Sequence, residues 1–249
     1  MPLTELNSPS YDANATLSPD ELTVYFSSER EGGEGRLDMY VATRPTPSAP
    51  FGDPAPLPDV NTAEWEGWGS LTSDGLFIYA TTIDSEGRYG IIGAERASAS
   101  VPFGEMTSIA ALNDAGSHAG QPYVLPDHSA VYFGTTRGGN YDIYRAARTG
   151  GGFAAPTALS ALDINGPATE HVVAVTPDEL TIYFVSRRDG GDDDIYVASR
   201  ARVADGFGAA VPLSGLNTDG NDFPTWIAPD GCQLLFGSSD DLFVATRTP

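Results

Sequence analysis

Two short apolar runs, Leu180 to Ser186 and Asp194 to Arg200, flank the polar stretch Asp189-Gly190-Gly191-Asp192. The first run is dense in β-branched and aromatic residues, which suit a pleated surface packed on both sides. The Asp/Gly stretch cannot hold a strand but turns tightly. Ahead of it, Thr176-Pro177-Asp178 has turn chemistry, because Pro fixes φ and Asp caps the backbone behind it. The pattern predicts turn, strand, turn, strand. Such a hairpin is marginal alone in water.

The chain repeats it. The turn recurs at Pro19-Asp20, Ser73-Asp74, Pro126-Asp127, Pro177-Asp178 and Pro229-Asp230, with successive Asp spacings of 54, 53, 51 and 52 residues. Val24-Tyr25-Phe26, Phe77-Ile78-Tyr79, Val131-Tyr132-Phe133, Ile182-Tyr183-Phe184 and Leu234-Leu235-Phe236 follow in register and read as core strands. Returning strands read Asp38-Met39-Tyr40, Asp142-Ile143-Tyr144, Asp194-Ile195-Tyr196 and Asp241-Leu242-Phe243, with a degenerate Tyr89-Gly90-Ile91. Each closes on an arginine: Arg44, Arg96, Arg148, Arg200 or Arg247. A Phe (Phe51, Phe103, Phe153, Phe207) then precedes an apolar segment ending at Val60-Asn61, Leu112-Asn113, Leu162-Asp163 or Leu216-Asn217, expected to be a fourth, outer strand.

A period near fifty with several short strands per unit predicts an all-β propeller of four-stranded antiparallel blades. The fifth copy lacks its outer strand, and Pro2-Leu3-Thr4-Glu5-Leu6-Asn7 matches Pro212 to Asn217. The N-terminal strand, residues 2–6, is therefore expected to pair with the last blade and close a ring of five, leaving no open sheet edge. Expected blades run 11–58, 65–111, 120–160, 171–214 and 223–246, in one domain over 1–249.

Composition narrows the function. With 41% hydrophobic residues the chain can build a core, and 28 Gly with 19 Pro at regular positions indicate turns rather than disorder. No run approaches the roughly 18 apolar residues of a membrane span. The net charge is −21, and all 13 basic residues are Arg. Such a field disfavours nucleic acid and anionic membranes; cations, basic protein patches and neutral glycans remain as partners, with a monomer expected. No signal peptide is evident, and a periplasmic or extracellular location is favoured for a mature form with its signal removed. The lone Cys232 is expected as a buried strand thiol.

Ser18-Pro19-Asp20, Thr176-Pro177-Asp178 and Ala228-Pro229-Asp230, each ahead of an aromatic strand, resemble the repeat of TolB-like β-propellers, WD-like repeats with a Pro-Asp signature. Ser186-Arg187-Arg188-Asp189-Gly190 with Asp194-Ile195-Tyr196 extends the resemblance over nearly the whole chain. It implies the fold. Its members include periplasmic scaffolds that bind partner proteins, domains attached to peptidases, and bacterial cell-envelope proteins of unassigned role. TolB carries an N-terminal domain absent here and has six blades, so its role in envelope integrity does not transfer.

Candidate chemistry sits eight residues before each turn Asp. There lie Asp12, Glu66, Ala119, Glu170 and Asp222, with His118 beside Ala119 and His171 beside Glu170. Four carboxylates converging on a channel mouth would repel unless a cation, protons or Arg partners offset them. The ring is a candidate Ca²⁺ or Mg²⁺ site formed by Asp12, Glu66, Glu170 and Asp222. Alternatively, each acid caps its own loop or pairs with an Arg such as Arg30, Arg88, Arg137 or Arg187. The acidic turn 189–194 lacks EF-hand spacing and reads as a solvated hairpin. Trp65, Trp68, Trp226 and Tyr123 suit sugar stacking at the mouth, or else packing between blades. His128 is expected to be merely exposed in its turn.

The expected function is a non-catalytic binding or scaffolding propeller presenting its channel mouth to a protein or glycan, with a divalent cation as candidate ligand. The alternative is a carbohydrate-active enzyme, a glycosidase or lyase, using two channel carboxylates about 5–10 Å apart. A nucleophilic enzyme is disfavoured, since no Gly-x-Ser-x-Gly elbow exists and Cys232 has no activating neighbour.

Overall fold

The computed structural model describes residues 1–159 and 164–246. Five antiparallel sheets ring one axis, and no helix occurs among the described residues. Blade one pairs Asp12–Leu17, Thr23–Ser28, Asp38–Thr43 and Ala55–Pro56 in chain order. Blade two pairs Glu66–Leu71, Phe77–Ile83, Tyr89–Glu95 and Thr107–Ser108. Blade three has Ala119–Val124, Ala130–Thr135 and Asp142–Thr149, with Gly152–Phe153 and Thr157–Ala158 both pairing the third strand. Blade four has Glu170–Val175, Thr181–Ser186, Asp194–Ser199 and Val211–Pro212; blade five has Asp222–Ile227, Gln233–Ser238 and Asp241–Thr246. The innermost strands touch their neighbours around the full circle, blade five meeting blade one.

The outer strands are only two residues long because a side chain does much of their pairing. Asn61, Asn113, Asn165 and Asn217 each accept the N–H (2.8–2.9 Å) and donate to the carbonyl (2.8–3.1 Å) of Met39, Ile91, Ile143 and Ile195. Each amide thus imitates a strand partner 22 residues downstream of the residue it pairs. In blade three this corrects the sequence expectation: the marker is Asn165, not Leu162-Asp163, which lies outside the described residues.

Blade five obtains the same amide from Asn7, which accepts from Leu242 N–H at 2.8 Å and donates to its carbonyl at 3.1 Å. Pro2 bridges Phe243, Leu3 N–H donates to Leu242, and Val244 N–H donates to Met1. The closure is therefore real, but it is one bridge plus the Asn7 amide rather than a strand over 2–6; residues 4–6 turn instead.

The Pro-Asp turns place Glu21, Gly75, His128, Glu179 and Gly231 at positive φ, 57–69°. There the backbone carbonyl is held by the arginine closing the third strand: Arg44, Arg96 and Arg200 donate to Glu21, Gly75 and Glu179 at 2.6–2.7 Å. The same guanidiniums lie 4.3–4.4 Å over Phe51, Phe103 and Phe207, a cation–π contact. Arg148 covers Phe153 at 5.2 Å, and Arg247 lies outside the described residues. The repeat's Arg and Phe are thus one clamp on the turn.

Apolar clusters fill the blade interfaces: Val24, Phe26 and Tyr40 pack with Trp226 and Leu235, and Val131 and Phe133 pack with Tyr79 and Ile91. The central strand residues of the five core runs are buried, with Tyr183 half-buried. His128 is not merely exposed: it is half-buried, 2.7 Å from the Tyr79 hydroxyl and stacked 4.3 Å from Phe77. Burial, then the nearby Arg148, lowers its pKa to about 4. Cys232 lies in the Pro229-Asp230 turn, half-buried, because its strand begins one residue later.

Candidate functional site

Every innermost strand begins at the position picked out in the sequence: Asp12, Glu66, Ala119, Glu170 and Asp222 are its first residues. All four carboxylates are at most 2% exposed. Each turns back to its own entrance loop. Asp12 accepts the N–H of Ser8 at 2.5 Å, Glu66 that of Thr62 at 2.7 Å, Glu170 that of Gly166 at 2.8 Å and Asp222 that of Thr218 at 2.7 Å. Arg30 pairs with Asp12 at 2.7 Å, and Arg188 lies 3.6 Å from Glu170. Blade two has Asp84 where Arg30 and Arg188 stand, so Glu66 lacks such a partner, and burial raises its carboxyl pKa. Among the described residues no three of His, Cys, Asp and Glu gather as a metal site. The four acids do not converge, because each is committed to a separate loop.

The arginine partners differ from the expected set. Arg88 pairs with Asp84 and Glu86, and Arg187 with Asp193. Arg137 has no carboxylate partner among the described residues and donates to Leu112 and Thr135. The acidic hairpin is not wholly solvated: Asp193 is buried, held by Arg187 at 2.6 and 3.0 Å and by His171 at 3.3 Å. Burial opposes ionisation of Asp193, but hydrogen bonds from His171 and Arg187 win, and its carboxyl falls well below the usual range.

A kink in each inner strand aims the mouth side chains. Pairing slips after the second or third residue, and the third residue has positive φ in four blades: Asn14, Trp68, Gln121 and Val172, with Pro224 in the fifth. These are β-bulges, which re-aim side chains. At Trp68 the bulge presents the indole to the mouth, where it meets Trp65 at 4.7 Å in an edge contact. Tyr89 lies 5.8 Å from Trp68, His118 5.5 Å from Tyr89, Tyr141 6.2 Å from His118, and His171 6.0 Å from Tyr141. All are half-buried, forming an unbroken arc of rings across blades two to four. Tyr11 extends it through a hydrogen bond with Trp68, its phenol pushed up to about 12, first by burial.

Trp226 and Tyr123 do not join this arc. Both are fifth in their inner strands, beyond the bulge, and 8% and 5% exposed. Trp226 packs in the cluster between blades five and one. Tyr123 reaches the backbone of Val175 and Ile227 in blades four and five, so its ring crosses beneath the mouth as a floor. Sequence reasoning placed Trp65, Trp68, His118 and His171 together and missed Tyr89, Tyr141 and Asp193. Their signal was available: the three are spaced by 52 residues, each just before a third-strand Asp or its equivalent.

No family model matches the chain, and no curated protein matches it in sequence. Among solved structures, TolB from Acinetobacter baumannii is similar over 98% of this chain at 15% identity and a TM-score of 0.63. The fold is that of a TolB-like propeller, with five blades. The present chain spans 56% of that TolB's length. A chain of a nidogen/laminin complex is similar over 94% of this chain and 75% of its own, at 12% identity and TM-score 0.55. A thermostable family-43 glycoside hydrolase is similar over 98% of this chain and 96% of its own, at 14% identity and TM-score 0.57. At these identities the likeness of the TolB-like propeller to each is one of fold.

Proposed function

We propose that the TolB-like propeller is a non-catalytic module that binds a glycan at the mouth bearing Trp65, Trp68, Tyr89, His118 and Tyr141. The arc of rings carries this reading. Aromatic faces that alternate with polar tips suit pyranose rings, which offer one apolar face and a rim of hydroxyls. The net charge of −21 selects against anionic glycans.

The non-catalytic part rests on the inner-strand acids. Glycoside hydrolysis needs a free pair, one protonated and one ionised. Here both oxygens of Glu66 are taken by Thr62, and those of Glu170 by Gly166 and Ser186. The family-43 likeness keeps hydrolysis as the alternative, and a protein partner, as for the nidogen/laminin neighbour, is a third outcome.

Tryptophan fluorescence titration with neutral oligosaccharides, with product analysis of the same mixtures, tests this. Saturable binding weakened about tenfold by Trp65→Ala, roughly 1.4 kcal/mol, without new products supports it. Release of sugars that disappears in Glu66→Gln or Glu170→Gln would replace it with the hydrolase reading.

A further inference from the structure

Six buried side-chain atoms among the described residues have no hydrogen-bond partner: Asn14 Oδ1, Gln121 Oε1, Asp142 Oδ1, His171 Nδ1, Asp222 Oδ1 and Thr225 Oγ1. All lie on inner strands or at the start of a third strand. Buried polar atoms are otherwise nearly always paired, so this concentration calls for an explanation. Three of the six, Gln121, Asp142 and His171, belong to the junction of blades three and four.

Their convergence is centred on Gly134. Blades one and two place the hydroxyls of Ser27 and Thr81 at this register, and each accepts a bulge N–H from the next blade. Blade three has no side chain there. A Cβ on Gly134 would lie 3.2 Å from His171 Cβ and from Tyr141 Cδ1, and 3.3 Å from Gln121 Oε1. Asp142 follows Tyr141 directly, and burial and the nearby Glu170 raise its carboxyl pKa.

Every one of these groups accepts. Gln121 Oε1 and Asp142 Oδ1 are oxygens. His171 turns Nε2 toward Asp193, which Arg187 keeps ionised, so Nε2 carries the hydrogen and Nδ1 offers its lone pair. The complementary ligand group is rich in donors. A hydroxyl brings one; an ammonium brings three, and its charge is attracted to the faces of Tyr141 and Tyr89. A hard metal ion would need converging carboxylates, which the described residues do not provide.

We infer that the cleft over Gly134, formed by Gln121, Tyr141, Asp142 and His171, receives the primary ammonium of an amino sugar. This rests on the glycan-binding reading and names the glycan class. Calorimetric titration should compare the β-1,4-linked tetramers of glucosamine, N-acetylglucosamine and glucose at physiological ionic strength. The glucosamine tetramer is expected to bind at least about tenfold more tightly than the other two. Gln121→Leu and Asp142→Asn should each reduce that preference, whereas Trp65→Ala should weaken all three ligands alike. Unfolding midpoints close to the parent's show that the variants are folded, and Gly134→Ser, which puts a hydroxyl in the cleft, is the second route to the same loss. Equal binding of the three sugars overturns the ammonium site and leaves the glycan reading standing. A preference indifferent to Gln121→Leu, Asp142→Asn and Gly134→Ser stems from net charge alone and also overturns it. No binding by any of the three sinks the glycan reading itself.

Discussion

The hydroxyl of Ser27 accepts a 3.0 Å hydrogen bond from the backbone N–H of Trp68, joining the second strand of blade one to the bulge of blade two. Thr81 does the same for Gln121 at 2.7 Å. Where the bulge residue is Pro224, which has no N–H, the matching position of blade four is Val185. Polar and apolar residues are thus matched across the interface. Ser27→Ala should destabilise the protein by about 1–3 kcal/mol, the cost of a buried donor left unpaired, and Ser27→Thr by much less. Chemical denaturation measures both. The same variant should loosen Trp68 and weaken oligosaccharide binding.

Asn7→Ala removes the amide that completes blade five. Two buried-edge hydrogen bonds go with it, at about 0.5–1.5 kcal/mol each. The midpoint of thermal unfolding should fall, and limited proteolysis should release the N-terminal segment before it cuts within a blade. An unchanged midpoint would mean that the Pro2 bridge alone seals the ring.

His128 sets an acid limit. Its folded pKa is depressed to about 4, against an unfolded value near 6.5. Its stabilisation is therefore full above about pH 6.5 and is lost as pH falls toward 4, when the unfolded chain takes up the proton first. Allowing for partial exposure, the loss is on the order of 2 kcal/mol. His128→Asn, which tolerates positive φ, should flatten the stability profile over that window.

Asp193 acts lower on the scale. Its folded pKa is depressed below the unfolded value near 4, so its contribution is present above about pH 4 and lost on further acidification. The stability difference between the parent and Asp193→Asn should be constant near neutrality and shrink below about pH 4. Asp193→Asn should also release His171 and lower affinity for any ligand held by its Nδ1.

The blade count, the strand order and the matching of Asn7 with Asn217 were legible because they depend on period alone. What period does not carry is direction. The inner-strand bulge inserts a residue, so a simple alternation misjudges every side chain beyond it. Trp226 and Tyr123 fall on that far side and are core, while Trp65 and Trp68 precede or occupy the bulge and face the mouth. The ring of acids was correctly located but its partners were not, since the Ser8, Thr62, Gly166 and Thr218 amides that bind it belong to the least regular part of the repeat. Leu162-Asp163 misled because it imitates the marker two residues ahead of Ile164-Asn165.

The pairing of Asn7 with Leu242 joins residues 235 positions apart. During synthesis the segment around Asn7 appears early, yet its partner strand emerges last. Until then its apolar Leu3 and Leu6 have no blade five to cover them, and blade one presents an unsatisfied flank. Loop closure over so many residues favours slow, late completion. The same segment therefore makes the newborn chain most vulnerable to intermolecular strand exchange just before the final blade arrives.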